Sequence, residues 1–281
     1  MRFTAMALSW FPALGLDAQE RLLSPSDLLA RQTATAVVAF GLDAIREFGA
    51  VEGLPRLQAS LATAKECLPA GLAAKARLAE LSLQEDAAAL LPSVLDLFED
   101  MTFQPVVEAE LPAGVPGFTA LGELELRHYP AYRMVRTPMR GGAIGAFWPL
   151  FQHIQAKQIA MTTPVQIDYQ TDGERTREAS MAFLYGSSNL GAPGADGKVE
   201  VVDVAPMTVV TIGSRGYDRP SRVAELRTCL DAWLARNPAY EAAGELRTMG
   251  YNSPSVASDR RYFEVQLPVR CVVRAPARGS I

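Results

Sequence analysis

The sequence predicts an α+β protein, an all-α N-terminal region followed by strands with two helices among them. Three observations carry this. Apolar residues recur with helical spacing over residues 24–100. The run Leu111-Pro-Ala-Gly-Val-Pro-Gly117 then interrupts the chain. Beyond it, period-two alternation takes over, and the order strand–helix–strand–strand occurs twice, about eighty residues apart, which reads as a duplicated fold. The 281 residues are 49% hydrophobic and 21% charged, enough to bury a core and unlike a disordered chain.

The helical region begins at Ser24-Pro25-Ser26-Asp27, which supplies caps and a first-turn proline. Leu28, Leu29, Val37, Val38, Phe40, Leu42, Ile45 and Phe48 follow at helical spacing, and Gly49 with Gly53-Leu-Pro55 stops them. Leu57, Leu61, Ala64 and Leu68 mark a second helix, and Leu78, Leu81, Leu83, Leu90 and Leu91 a third, with Pro92 starting a new turn. Residues 1–110 contain no catalytic spacing and read as a small bundle or an embracing arm, with a protein partner as one use for it. Ahead of them, Arg2 precedes an apolar stretch at 3–16. A secretory or transit segment is one reading and an ordinary buried segment the other, Trp10 and Pro12 favouring the latter. No apolar run approaches the ~20 residues of a membrane span, and the expected location is the cytoplasm.

Downstream, residues 123–129 and 132–137 alternate as strands. Leu124, Leu126 and His128 share one face of the first, Glu125, Arg127 and Tyr129 the other. Ile144, Phe147, Trp148, Phe151 and Ile154 form an amphipathic stretch, with Pro149 marking a helix start or a bend. Residues 159–169 and 178–185 are strands, and 189–197 is a long turn. Strands at 199–204 and 207–212, a helix at 222–236, and strands at 245–251 and 261–269 complete the second copy.

The charge and motif content excludes much. A net charge of −4 without a basic stripe gives no sign of nucleic-acid binding. Cys67, Cys229 and Cys271 form no C-x-x-C pair, which removes thiolate zinc sites and covalent haem attachment. Two histidines, His128 and His153, cannot build a multi-histidine metal centre. There is no G-x-S-x-G, H-E-x-x-H or Walker loop. Gly191, Gly194 and Gly197 lack the following helix of a nucleotide fingerprint, and Asp168 and Asp172 read as solvated turn acids. The chain is therefore expected not to be an enzyme.

Three strings remain: Glu123-Leu-Glu-Leu-Arg-His-Tyr-Pro130; Ala146-Phe-Trp-Pro-Leu-Phe-Gln-His-Ile-Gln155, followed by Ile159-Ala-Met-Thr-Thr-Pro-Val165; and Gly250-Tyr-Asn-Ser-Pro254, followed by Arg260-Arg-Tyr-Phe-Glu-Val-Gln-Leu-Pro268. In this order and spacing they resemble the SOUL haem-binding protein family over residues 117–270, setting off 117–273 as a second domain. The resemblance implies a distorted antiparallel β-barrel of two βαββ halves with two helices. It also implies non-covalent binding of haem or a related tetrapyrrole in an apolar cleft beside the first of these helices. The connection at Ala156-Lys-Gln158 is shorter than the family pattern, and residues 1–110 lie outside the resemblance.

In one branch of the family the Arg-His-Tyr string supplies an axial ligand, and Arg127-His128-Tyr129 stands in that place. His128 shares its strand face with apolar residues, and neutral imidazole is a natural iron ligand. The other reading is a strand histidine bonded to backbone. His153 lies opposite Phe151 and Ile144 on the wheel, so exposure is expected, and it is the reserve ligand. A porphyrin is a flat apolar plate, to which Phe147, Trp148, Phe151 and Met161 offer contacts. The alternative for these four is core packing, with Trp148 the residue most suited to ligand contact. Propionates need cations, and Arg127, Arg133 and Lys157 are candidates. The leading reading is a tetrapyrrole carrier, buffer or sensor. A small-molecule effector-binding regulatory module and an enzyme of tetrapyrrole turnover are the alternatives.

Overall fold

The computed structural model describes residues 25–172 and 175–272. The stretch at 3–16, with its two readings, and the tail from 273 lie outside them. Two compact units divide the chain between Phe98 and Glu99.

The first unit holds α1 (Pro25–Cys67), α2 (Ala73–Ser82) and most of α3 (Ala87–Thr102). α1 is broken at Gly49, where φ is 74° and ψ 177°, a conformation open to glycine. The two arms then fold back on each other across small residues. A Cβ on Gly53 would lie 2.7 Å from the Ala44 carbonyl oxygen, and one on Gly41 2.7 Å from the Ser60 Cβ. Behind this seam Val38, Leu42, Leu57, Leu61 and Ala64 are buried. α3 runs through Pro92 and buries Leu90, Val94 and Leu97. The sequence offered no membrane-length run, yet residues Ser26–Cys67 are long and apolar enough by composition to cross one. The break at Gly49 divides that stretch into two packed arms, and a third of its most apolar window is buried inside the protein.

The second unit is a sheet of ten strands: β1 (Leu124–Tyr129), β2 (Tyr132–Pro138), β3 (Val165–Asp172), β4 (Arg175–Leu184), β5 (Gly194–Asp196), β6 (Val199–Val204), β7 (Met207–Arg215), β8 (Tyr240–Ala242), β9 (Arg247–Gly250) and β10 (Tyr262–Cys271). α4 (Gly142–Ala156) follows β2 and α5 (Pro220–Arg236) follows β7. Strands neighbour one another in the order β1-β7-β10-β9-β3-β4-β2-β6-β5, with β8 on β10. Every strand pair is antiparallel.

This corrects the expected barrel. The path ends at β1 on one side and β5 on the other, so the sheet is open. Two strands were also unforeseen. β5 lies within the predicted 189–197 turn, flanked by Gly191 and Gly197 at positive φ, and β8 is three residues long. α4 starts at Gly142, well before Trp148, and Pro149 sits inside it. Its first turn wraps over the Arg140 carbonyl so closely that a Cβ on Gly145 would lie 2.5 Å from that oxygen.

The two faces of the sheet are covered differently. α4 packs on β2, β4 and β6, on the face that Phe183 presents, with Phe147 edge-on to Phe183 at 5.2 Å. α5 buries Val223, Leu226, Leu230 and Trp233 as it packs on β7, β8 and β10. The opposite, inner face carries Tyr129, Tyr132, Met134, Ala182, Leu184, Met249, Tyr251 and Tyr262. The irregular segment 103–120 packs on it, contributing Phe103, Leu111, Val115 and Phe118.

Candidate functional site

α4 arranges three aromatic rings along one flank. Phe147 and Phe151 stack at 5.6 Å, and Trp148 meets each edge-on at 6.0 Å. Phe147 also packs on Phe183, so the slot between helix and sheet is filled by the protein's own rings. Trp148 is 53% exposed and Ile144 75%. The aromatics thus form an outward ridge rather than a cleft. Met161 is half-buried beyond the end of the helix.

His153 overturns its expectation: it is buried, on the helix side that also buries Ala146, Leu150 and Ile154. Both ring nitrogens are occupied. Nε2 lies 2.8 Å from the Tyr185 hydroxyl, and Nδ1 3.2 Å from an Asp196 carboxylate oxygen. Lys157 reaches the same oxygen at 3.3 Å. Burial pushes the Tyr185 hydroxyl up to about 12, although Arg133 nearby opposes this. Hydrogen bonding and charge from Lys157, then the contact with His153, hold the Asp196 carboxyl below its ordinary value.

His128 sits on β1, at one end of the strand order, whereas α4 lies near the other. Its ring is exposed rather than turned into apolar surroundings, and Nδ1 lies 2.9 Å from the Thr208 hydroxyl. That contact leaves Nε2 available as a ligand atom.

The three cations sought for propionates are each engaged. Arg127 is half-buried, bonded to the Glu125 carboxylate at 2.6 Å and to the carbonyls of Gly117 and Phe118. Arg133 clamps Asp203 through two bonds, at 2.7 and 3.0 Å, and reaches the carbonyls of Leu190 and Gly191. Lys157 holds Asp196 but remains about half exposed. Asp168, expected to be a solvated turn acid, belongs to β3 and accepts hydrogen bonds from Gln166 and Ser180. Two cavities, of about 340 and 450 Å³, border α5 instead of α4.

For a tetrapyrrole the fit is therefore divided. The ridge of Phe147, Trp148 and Phe151 suits a flat apolar plate, and His128 offers a nitrogen. Among the named cations, only Lys157 keeps substantial exposure.

Sequence reasoning missed a second group entirely. Directly paired residues share a sheet face, and the register places Glu125, Thr211, Gln266, Arg247, Asp168 and Ser180 in one row across six strands of the inner face. The signal was present as Glu264-Val-Gln266 in β10, where two polar residues alternate with an apolar one, but only the pairing shows that both are fully buried.

No curated protein matches the chain. Among solved structures, the chain is similar to the EcmrR C-terminal domain, at 17% identity and a TM-score of 0.45, with 53% of this chain and 98% of that one covered. It is also similar to a hydrolase from Listeria innocua, at 10% identity and a TM-score of 0.40, covering 57% and 94%. SAV2435 bound to tetraphenylphosphonium is similar at 15% identity and a TM-score of 0.34, covering 53% and 94%. The family described as SOUL heme-binding protein matches residues 115–268, more than half of the chain, and the protein belongs to that family.

Proposed function

We propose that the protein binds haem or a related tetrapyrrole non-covalently, as a carrier, buffer or sensor rather than an enzyme. Family membership supports the ligand class. The observation that carries the reading is the aromatic ridge of α4, where Trp148 and Ile144 expose apolar surface beside the stacked Phe147 and Phe151. Burying such surface against a porphyrin is worth about 25 cal/mol per Å². On this reading Phe147, Trp148, Phe151 and Met161 hold the plate and Lys157 faces a propionate, while His128, at the other end of the strand order, is a metal ligand only for haem held away from this ridge. Arg127, Arg133 and His153 serve only if they exchange their present partners. Bound haem would supply an iron centre open to axial coordination. A partner surface on the helical region finds support in Leu29, Phe40 and Val51, exposed by 67, 73 and 90%.

The test is a titration with haem and with metal-free protoporphyrin IX, read by tryptophan quenching and by absorbance. Trp148→Ala is expected to weaken both about tenfold, or about 1.4 kcal/mol. His128→Ala is expected to alter the haem spectrum and leave protoporphyrin binding unchanged. Failure of the native protein to bind either pigment overturns the proposal.

A further inference from the structure

The inner face holds a charge that the folded chain does not balance directly. Arg247 is 3% exposed, yet the groups that it contacts are all uncharged. Nε donates to the Gln266 carbonyl at 3.0 Å, Nη1 to the Tyr132 hydroxyl at 2.9 Å, and the guanidinium lies 4.9 Å from the Tyr129 ring centre. Nη2 has no partner. Two carboxylates stand in its bonded network without touching it: Glu264 is reached through the Gln266 amide, and Asp168, opposite Arg247 in the register, through Tyr132 and Gln166. A buried arginine ordinarily has an anion against it, because removing the charge from water is costly.

A second orphan lies in the same row. Thr211, on the other side of Gln266, is fully buried and its hydroxyl has no partner. The Tyr251 hydroxyl, from a residue two rows along the same face, is buried and unpartnered as well. Such a concentration of unsatisfied buried groups calls for an explanation.

What covers them is a strap, residues 103–120, which has no helix or strand of its own and contains Pro105, Pro112 and Pro116. A connection this long without regular structure is uncommon in a compact domain unless it has a function. It is fastened at separate points. Asn252 donates to the Val106 carbonyl, and Ser253 donates its backbone N–H and its hydroxyl to the Glu108 carboxylate. Thr163 holds the carbonyls of Ala109 and Glu110, and Ala113 donates to Gly186. Thr119 and Ala120 donate to Glu264 and Glu125. Two strings that mark the family, 161–165 and 250–254, thus clamp the strap in this protein.

We propose that the inner face is a binding site for a small carboxylic acid, shut by the strap. Arg247 Nη2 receives the carboxylate, the Thr211 and Tyr251 hydroxyls add hydrogen bonds, and Tyr129 and Tyr262 face the apolar body. The site lies on the opposite side of the sheet from α4, so it stands independently of the pigment reading.

The probe is benzoate, with benzamide as its uncharged counterpart, titrated into the full chain. Glu108→Ala removes one fastening of the strap and is expected to tighten benzoate binding about tenfold, since apparent affinity scales with the open fraction. Benzamide is expected to bind at least tenfold more weakly than benzoate, and Arg247→Met to abolish the difference. In the native protein, benzoate is expected to speed hydrogen exchange at the Ala113, Thr119 and Ala120 amides. This readout does not depend on the folding of any variant. Equal binding of the two probes, or strap amides that exchange no faster with benzoate present, overturns the proposal.

Discussion

The two faces of the sheet solve the same problem by different means. Towards α4, rings and aliphatic side chains meet: Phe147 lies on Phe183, whose strand neighbours are Val135 and Val165. Such a face is held by area and shape, without directional bonds. The inner face is held by a polar chain. Glu264 accepts from Thr119, Tyr262 and Gln266, Gln266 joins Glu264 to Arg247, and Arg247 continues to Tyr132 and Gln166. A network of this kind specifies one arrangement of strands and strap, but each member depends on its neighbours. The apolar face should therefore lose stability in proportion to the volume removed, and the polar face when a single acceptor changes.

The largest expected effect tests the apolar side. Phe183→Ala should cost about 4 kcal/mol, read from urea unfolding, because the ring is buried and the site cannot collapse under a stacked helix. A loss below about 1 kcal/mol would mean that the helix contributes little to this face. Next comes Glu264→Gln, which keeps the shape but turns one acceptor into a donor that meets another donor, the Thr119 N–H and Tyr262 hydroxyl at one end or the Gln266 amide at the other. It should cost about 2 kcal/mol. Stability equal to the native protein's would show that the inner network is decoration. Gly53→Ala carries the comparison to the helical unit, where close approach rather than bonding or bulk is at stake. The added methyl meets the Ala44 carbonyl at 2.7 Å, and about 1–3 kcal/mol should be lost. A neutral result there would show that the arms separate freely.

The smallest effects concern pH. Hydrogen bonds from Ser253 hold the Glu108 carboxyl below its ordinary 4.5, and those from Lys157 hold Asp196 below 3.8. A carboxyl with a lowered value stabilises the fold above its unfolded value and ceases to as pH falls through its folded one. Protection of the Ser253 amide, relative to its intrinsic exchange rate at each pH, should thus fall below pH 4.5, and protection around β5 below pH 3.8, with no loss at neutral pH. Loss of either protection near pH 6 would place the titrating group elsewhere.

The histidines show where reading the chain runs out. On α4 the bulky aromatics dominate any apolar pattern, so the wheel puts them inside and His153 outside. The structure reverses this. Ala146, small and nearly weightless in such a pattern, marks the buried side together with Leu150, while the rings lie along a flank. The alternation in β1 correctly places His128 with Leu124 and Leu126, but it cannot tell that β1 ends the sheet, where that side remains open to water. Arg127, Arg133 and Lys157 look like free cations because their partners stand 2, 70 and 39 residues away in the chain.

Local chemistry written in the chain was enough to determine most of the order of helices and strands, β5 and β8 excepted, the break at Gly49 and the family, since caps, glycines and short strings act within a few residues of themselves. Only the folded molecule decided that the sheet stays open, that an irregular segment packs on its inner side, and that Thr211, Gln266 and Arg247 stand in one row. Those outcomes depend on register between strands distant in sequence, and a shift of one residue would turn each of these side chains to the other face.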